Sequence, residues 1–345
     1  MKRDAIASLM KNGLNRTQIS KRLGLPVTTV RYWAEKIQAE KTYETIGTRT
    51  NEGEPMPATS EQVWEYLDQL SPINFINPPP TRPVATNSDV AIVLGDTHFG
   101  MQDTPTLEIF YEVLAELKPN TVILNGDTVD LMALSKYPKD VRYSVELIDE
   151  RKAYHSFCGN VRDIIGPDAK LLETDANHSG NGVEGRWWRY LSERLGPVAS
   201  LPEVLKHLTY NEIFIPDFAN VELVEQVELC NGNLFVMHGD IVRKHGGYSA
   251  RGMLDKWYAS IIMNHTHRFG VTAQRIPALG RRPERTITVY ENACACDLTP
   301  CYASAPNWQN GFSIVTMDGD NFGVEPVIVS DKKAVVCTLG KTIIA

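Results

Sequence analysis

Val90–Gly100 reads VAIVLGDTHFG, and Thr121–Asp130 reads TVILNGDTVD. Each is a short β-branched apolar run that stops at a Gly-Asp pair. Between them Leu107, Phe110, Tyr111 and Leu114 recur at helical spacing. A strand–helix–strand unit of this kind pairs its strands in parallel and belongs to an α/β fold. Gly at the strand end allows the abrupt turn that brings the next Asp to the rim of a sheet.

The pattern recurs downstream. A strand at Lys170–Glu173 leads to DANHSG (Asp175–Gly180), one at Leu234–Met237 to the His of VMHGD (Val236–Asp240), and one at Ser260–Met263 to NHTHR (Asn264–Arg268). Five of the chain's eight histidines stand in these motifs, together with GDTHFG and NGDTVD. The spacing also predicts helices over about Val141–Ile165, Glu184–Leu195 and Gly247–Trp257. Further strands are predicted near Val221–Leu229, Thr286–Tyr290, Phe312–Met317 and Gly323–Val329.

Asp, Asn and His gathered at strand ends match one chemical need. Phosphate-ester hydrolysis requires a strong nucleophile at neutral pH and positive charge on the phosphoryl oxygens, and two divalent metals supply both. Mixed nitrogen and oxygen ligation suits Mn²⁺, with Fe or Zn as alternatives, better than Ca or Mg. A single histidine of this set reads as an ordinary core residue; the series together reads as a metal site.

The order D-x-H, G-D-x-x-D, N-H, H, H-x-H resembles the calcineurin-like metallophosphoesterase superfamily over about residues 90–270. The resemblance implies a two-sheet β-sandwich flanked by helices, with a hydroxide held on two metals as nucleophile. It implies one metal on Asp96, His98 and His267, a second on Asn177, His238 and His265, and Asp127 bridging both. His178 would lie near the scissile phosphate, as acid or as transition-state stabiliser, and Asp130 would orient ligands. Three positions depart from the pattern. Ala176 and Ser179 flank Asn177-His178 where Gly and a carboxylate are usual, so no acid follows His178 in the chain to raise its basicity. Asn264 stands where Gly usually precedes H-x-H.

Two basic stretches admit two readings each. Ile241–Gly252, with Arg243, Lys244 and His245, is either a substrate-phosphate loop or a solvated loop. Arg186, Trp187, Trp188 and Arg189 either stack on bases or pack a tryptophan face into the core. Cys294, Cys296 and Cys301 lack the paired spacing of a structural zinc site and read as free thiols.

The N-terminus differs in kind. Residues 1–45 carry nine Lys and Arg against four Asp and Glu, a net of +5, so the total of -7 leaves -12 on the remainder. Helices are expected at Arg3–Lys11, Thr17–Leu23 and Pro26–Gln38. NRTQISKRLGLPVTTVRYW (Asn15–Trp33) resembles a helix-turn-helix of the resolvase or homeodomain-like kind. Ile19, Leu23, Leu25, Val30 and Trp33 would form its core, and Thr28, Thr29, Arg31, Tyr32 and Lys36 would face DNA; a module for protein contacts or assembly is the alternative. The expected organisation is a small all-α helix-turn-helix domain at 1–45, a linker at 46–88 and the phosphoesterase domain at 89–345. The linker holds a short helix near Ser60–Leu70 and the extended NPPPTRP (Asn77–Pro83).

Together these readings point to a metal-dependent phosphodiesterase, a DNA nuclease positioned by its N-terminal module. The layout also resembles bacteriophage-encoded phosphoesterases labelled as exonucleases. The alternatives are a phosphatase or phosphodiesterase of small molecules or phosphoproteins, and a DNA-binding regulator whose phosphoesterase domain is inactive. Leu131 and Met132 replace the Arg-Gly of the Ser/Thr protein phosphatases, which weakens the phosphoprotein reading. With no apolar run long enough to cross a bilayer and no signal-peptide core, a cytoplasmic location is expected, in the host if phage-encoded, with no membrane partner and oligomerisation left open.

Overall fold

The computed structural model describes residues 2–11, 16–25, 30, 89–135, 145–181, 185–196, 204, 206–279, 283–300 and 305–345. The chain divides into two compact units, residues 1–67 and 68–345. In the first, helices run over Lys2–Lys11 and Arg16–Leu23. Ile19 and Val30 are fully buried, with Ala7, Leu9, Met10, Leu23 and Leu25 packed on them. Gly24 takes a left-handed φ of 63°, and Ser20 Oγ donates to the Leu25 carbonyl at 2.6 Å, so the Leu-Gly-Leu turn is pinned from both sides. Thr28, Thr29, Arg31, Tyr32 and Lys36, the helix expected at 60–70 and the Pro-rich stretch lie outside the described residues.

The second unit is built on two main sheets. β1 (Asp89–Leu94), β2 (Thr121–Leu124), β3 (Lys170–Thr174) and β4 (Val221–Val224) are parallel neighbours. β10 (Asn310–Asp318) and β11 (Asn321–Val329) extend this sheet antiparallel, giving the order β11-β10-β1-β2-β3-β4. The second sheet has the order β5-β6-β7-β9-β8, from β5 (Val227–Leu229), β6 (Leu234–Met237), β7 (Ile261–Met263), β8 (Gly270–Ile276) and β9 (Arg285–Glu291). A small hairpin of β12 (Lys333–Val336) and β13 (Lys341–Ile344) completes the chain.

Side-chain alternation sets the layers. Val90, Ile92 and Leu94 of β1 join the helices Thr104–Leu117 and Leu147–Ile165 in one core. Ala91 and Val93 face the other way, into a core with Val227, Leu234, Val236 and Ile262 of the second sheet. A third core, with Ile261, Met263 and Val289, lies under the helix Tyr248–Trp257. The result is helix, sheet, sheet, helix: a mixed α/β sandwich. The helix over 104–117 starts where Asp103 accepts the Thr106 amide at 3.0 Å and Pro105 occupies the first turn.

The single strand expected over Val221–Leu229 is two. Glu225 and Gln226 are exposed where the chain leaves the first sheet as β4 and enters the second as β5. The apolar pattern runs through the crossover, which is why it reads as one strand. The helix expected from Val141 begins at Leu147, and residues 136–144 lie outside the described residues. Among the described residues no helix is long and apolar enough to cross a membrane.

Candidate metal centre

Every histidine of the five motifs leaves a strand end toward one point. Asp96 and His98 follow β1, Asp127 follows β2, Asn177 and His178 follow β3, His238 follows β6, and His265 and His267 follow β7. Asp96, His98, Asp127, His265 and His267 all have φ between 46° and 73°. Left-handed backbone at five non-glycine residues in one site is strain that the surrounding packing must hold.

Asp96, His98 and His267 bring ligand atoms together as one group, and Asp127, His238 and His265 as another. His98 Nε2 and His267 Nε2 face each other at 3.2 Å. His238 Nε2 lies 3.3 Å from Asp127 Oδ2 and 3.0 Å from Asn177 Oδ1. His98 Nε2 is 3.9 Å from the same Asp127 oxygen, so Asp127 stands between the two groups. Asp96 Oδ2 accepts the His265 amide at 2.9 Å. Asp96 Oδ1, fully buried, has no hydrogen-bond partner and faces His267 Nε2 at 3.6 Å. A buried carboxylate oxygen without a donor is costly unless a cation belongs there. The donor set, imidazole with carboxylate and one amide, fits a transition-metal dication.

The charges of the cluster agree with that reading. Burial pushes the Asp96 carboxyl up to about 7. Burial would raise Asp127 too, but His238, His178 and His98 outweigh it and hold Asp127 well below the usual range. Burial lowers His238, yet Asp127 beside it carries the imidazole up to about 9. Burial, with His238 nearby, takes His265 down to about 4. Protons thus occupy part of a site whose ligands must shed them to bind metal.

Asp130 orients two of the rings. Its Oδ1 is 2.9 Å from His98 Nδ1 and 3.0 Å from His178 Nδ1. Burial acts to raise this carboxyl, and those two histidines bring it far below its ordinary value. The carboxylate that Ser179 does not provide is therefore supplied to His178 from the second motif. Arg186 adds a partner that the sequence pattern did not single out for this role. Its guanidinium donates to the Asp130 carbonyl at 2.6 Å and to His178 Nε2 at 3.0 Å. Since Arg only donates, Nε2 accepts and the ring proton lies on Nδ1, toward Asp130.

Asn264 occupies the space that its neighbour leaves. A Cβ on Gly95 would fall 2.4 Å from Asn264 Cγ. The Asn264 amide donates to the Ala293 carbonyl at 2.8 Å and accepts from Asn125 at 2.8 Å. Ala176 does the same on the other side: a Cβ on Gly126 would fall 2.6 Å from the Ala176 Cβ.

The remaining candidates separate. Arg243, Lys244 and His245 are exposed, and the carbonyls of Arg243 and Lys244 accept from buried Arg268, which also pairs with Glu291 at 3.2 Å. Trp187 is buried, donating to the Leu208 carbonyl at 2.7 Å and meeting Phe214 edge-on, so that tryptophan belongs to the core. The opposite face of its helix, Arg186–Leu195, lines a cleft of about 460 Å³ with Asn177 and His178. Cys294 and Cys296 are buried free thiols; with His267 they form a further group able to hold a metal, Cys296 Sγ lying 3.8 Å from His267 Nδ1. Cys301 lies outside the described residues.

Beneath the third motif Glu173 is fully buried, accepting from Thr128 Oγ1 at 2.5 Å and from the hydroxyls of Tyr154 and Tyr210. Burial raises its carboxyl from 4.5 to about 7. The folded chain therefore binds a proton there that the unfolded chain releases, over the window from about 4.5 to 7. The contribution is complete below that window and is lost as pH rises through it, on the order of 3 kcal/mol. Denaturant unfolding at pH 5 and pH 8 is expected to show a smaller difference between the two pH values in Glu173→Gln than in the wild type; an unchanged difference refutes the assignment.

The fold and the site together are a mixed α/β two-sheet sandwich with clustered His and Asp compatible with divalent metals. No family model matches the chain. The Gene 54 protein of Mycobacterium phage L5 is 22% identical over 247 residues, which cover 69% of this chain and 92% of that protein. Among solved structures, Vacuolar Protein Sorting 29 from Cryptosporidium parvum is similar over 75% of this chain and 96% of its own, at 14% identity and a TM-score of 0.36. Vps29 from Chaetomium thermophilum covers 70% of this chain and 97% of its own, at 11% identity and a TM-score of 0.30.

Proposed function

We propose that the chain is a two-metal phosphodiesterase acting on DNA. The observation that carries the reading is the buried, partnerless Asp96 Oδ1 within a ring of Asp127, Asn177, His98, His238, His265 and His267. Asp96, His98 and His267 would hold one ion, Asn177, His238 and His265 the other, and Asp127 both. Divalent ions there, Mn²⁺ first among them, would supply positive charge for the phosphoryl oxygens and would acidify a water. His178, which lines the cleft, would meet the scissile phosphate and stabilise the leaving oxygen, or protonate it once Nε2 has taken up a proton and parted from Arg186. Asp130 holds His178 and His98 in register, and Arg186 holds Asp130 and faces the incoming anion. The basic helical unit at the N-terminus supports DNA as the polyanion, in keeping with a helix-turn-helix role for residues 1–45.

The test is cleavage of end-labelled single- and double-stranded DNA by the full chain with Mn²⁺, and with EDTA as control. Metal-dependent products are expected, and their ladder distinguishes exonuclease from endonuclease action. Turnover of a small chromogenic diester without any cut in DNA would overturn the nuclease reading and leave small phosphodiesters as substrates. Neither activity, with no bound metal, would overturn the enzyme itself.

A further inference from the structure

The helix Arg186–Leu195 presents two faces. Trp187 and Leu191 are buried, whereas Arg186, Arg189, Tyr190, Glu193 and Arg194 line the cleft that also holds Asn177 and His178. These positions recur at three- and four-residue intervals, so they form one continuous stripe. From Arg186 to Arg194 the stripe is about 12 Å long at 1.5 Å per residue. Arg186 is occupied by Asp130 and His178. Arg189 and Arg194 are exposed, and among the described residues neither meets a carboxylate. Against them stands only Glu193, so this wall of the cleft is cationic on a body that is acidic overall.

We propose that this stripe is the rail on which a single nucleic-acid strand lies, a proposal that rests on the nuclease reading above. A substrate with one phosphate would need only the metals, His178 and Arg186. Two further arginines, carried away from the centre along a helix, suit a ligand with phosphates beyond the scissile one, which is the chemistry of a polynucleotide. Arg189 and Arg194 hold those phosphates, and Tyr190, half-buried and stacked on Trp187, offers its open edge to a base.

The experiment uses the full chain with Mn²⁺ and the double variant Arg189→Ala/Arg194→Ala, both positions being exposed and outside the core. Cleavage of a labelled single-stranded oligonucleotide is measured beside turnover of bis(p-nitrophenyl) phosphate, which has no second phosphate. The loss of kcat/KM on the oligonucleotide is expected to exceed the loss on the chromogenic diester by at least about tenfold, through KM. The log–log salt dependence of oligonucleotide binding should flatten by about 1.4, two contacts at roughly 0.7 each for a single strand. Arg189→Lys/Arg194→Lys should restore the salt dependence, since it restores the charge. If the wild type cuts the oligonucleotide and the double variant cuts it equally well, the rail is refuted and the nuclease reading survives. Equal losses on both substrates also refute the rail, because the arginines then serve the centre itself. If the wild type turns over the diester but neither binds nor cuts the oligonucleotide, the nuclease reading falls and the rail falls with it.

Discussion

Asp127→Asn is expected to lower metal-dependent diester turnover by a factor on the order of 10³ or more, beyond the ~10–100-fold typical of a residue that only supports a ligand. Two separate losses combine at this position. Asp127 Oδ2 lies 3.3 Å from His238 Nε2 and 3.9 Å from His98 Nε2, so it stands between the two ligand groups. Asparagine there removes the negative charge shared by both ions. His238, carried up to about 9 largely by Asp127, loses its counter-charge in a fully buried position. Asp127 Oδ1 also accepts the His178 amide at 2.9 Å, a bond that the asparagine oxygen can keep, so the expected loss falls on the metals and on His238. Metal content after dialysis and the thermal shift on adding Mn²⁺ report the loss independently of activity. A variant that retains two tightly bound ions and wild-type turnover would exclude Asp127 as the bridging ligand.

Gly95→Ala is expected to cost roughly 2–4 kcal/mol of stability, with loss of metal binding. The added methyl group would fall 2.4–2.7 Å from three atoms of the Asn264 side chain. That side chain cannot simply swing aside. It is fully buried and tied to Asn125, Asn292, the Ala293 carbonyl and Asp96. Any shift moves Asp96 and the neighbouring His265 together. The diagnostic variant is Gly95→Ala/Asn264→Gly, which empties the space that the methyl group needs. It should recover about 1–3 kcal/mol relative to the sum of the two single changes, measured by denaturant unfolding. Additive effects would mean that the clash is relieved by some other movement and that the two positions are not coupled.

The strand-end motifs made most of the site legible because a turn from strand into loop leaves a local mark. Gly beside Asp, after a β-branched run, is readable at every occurrence. What was not legible is whatever depends on contacts between distant segments. Arg186 contacts Asp130 from 56 residues away, and no local pattern pairs them. The substitution of Ser179 for a carboxylate looked like a loss because the sequence does not say that Asp130 approaches the same ring. The crossover at Glu225-Gln226 was invisible because both strands bury apolar residues on either side of it. The tryptophans of the helix Arg186–Leu195 read equally well as base-stacking or core residues until the Leu208 carbonyl showed which way Trp187 turns. Arg243, Lys244 and His245 lie near a motif in sequence but line no part of the cleft beside His178.

The candidate centre draws Asp96, His98, Asp127 and Asn177 from one sheet and His238, His265 and His267 from the other. Asp96 and His265 stand 169 positions apart in the chain. No fragment carrying only one sheet contains both halves, and closing so long a loop comes late in folding. The full set of candidate ligands therefore exists only in the finished sandwich, which ions held by both halves would select. Ions so held would oppose separation of the sheets, by about 2.7 kcal/mol for a site at a hundred times its dissociation constant. If ions bind as proposed, the chain deprived of them would open more often at the seam between the sheets and would persist for less time.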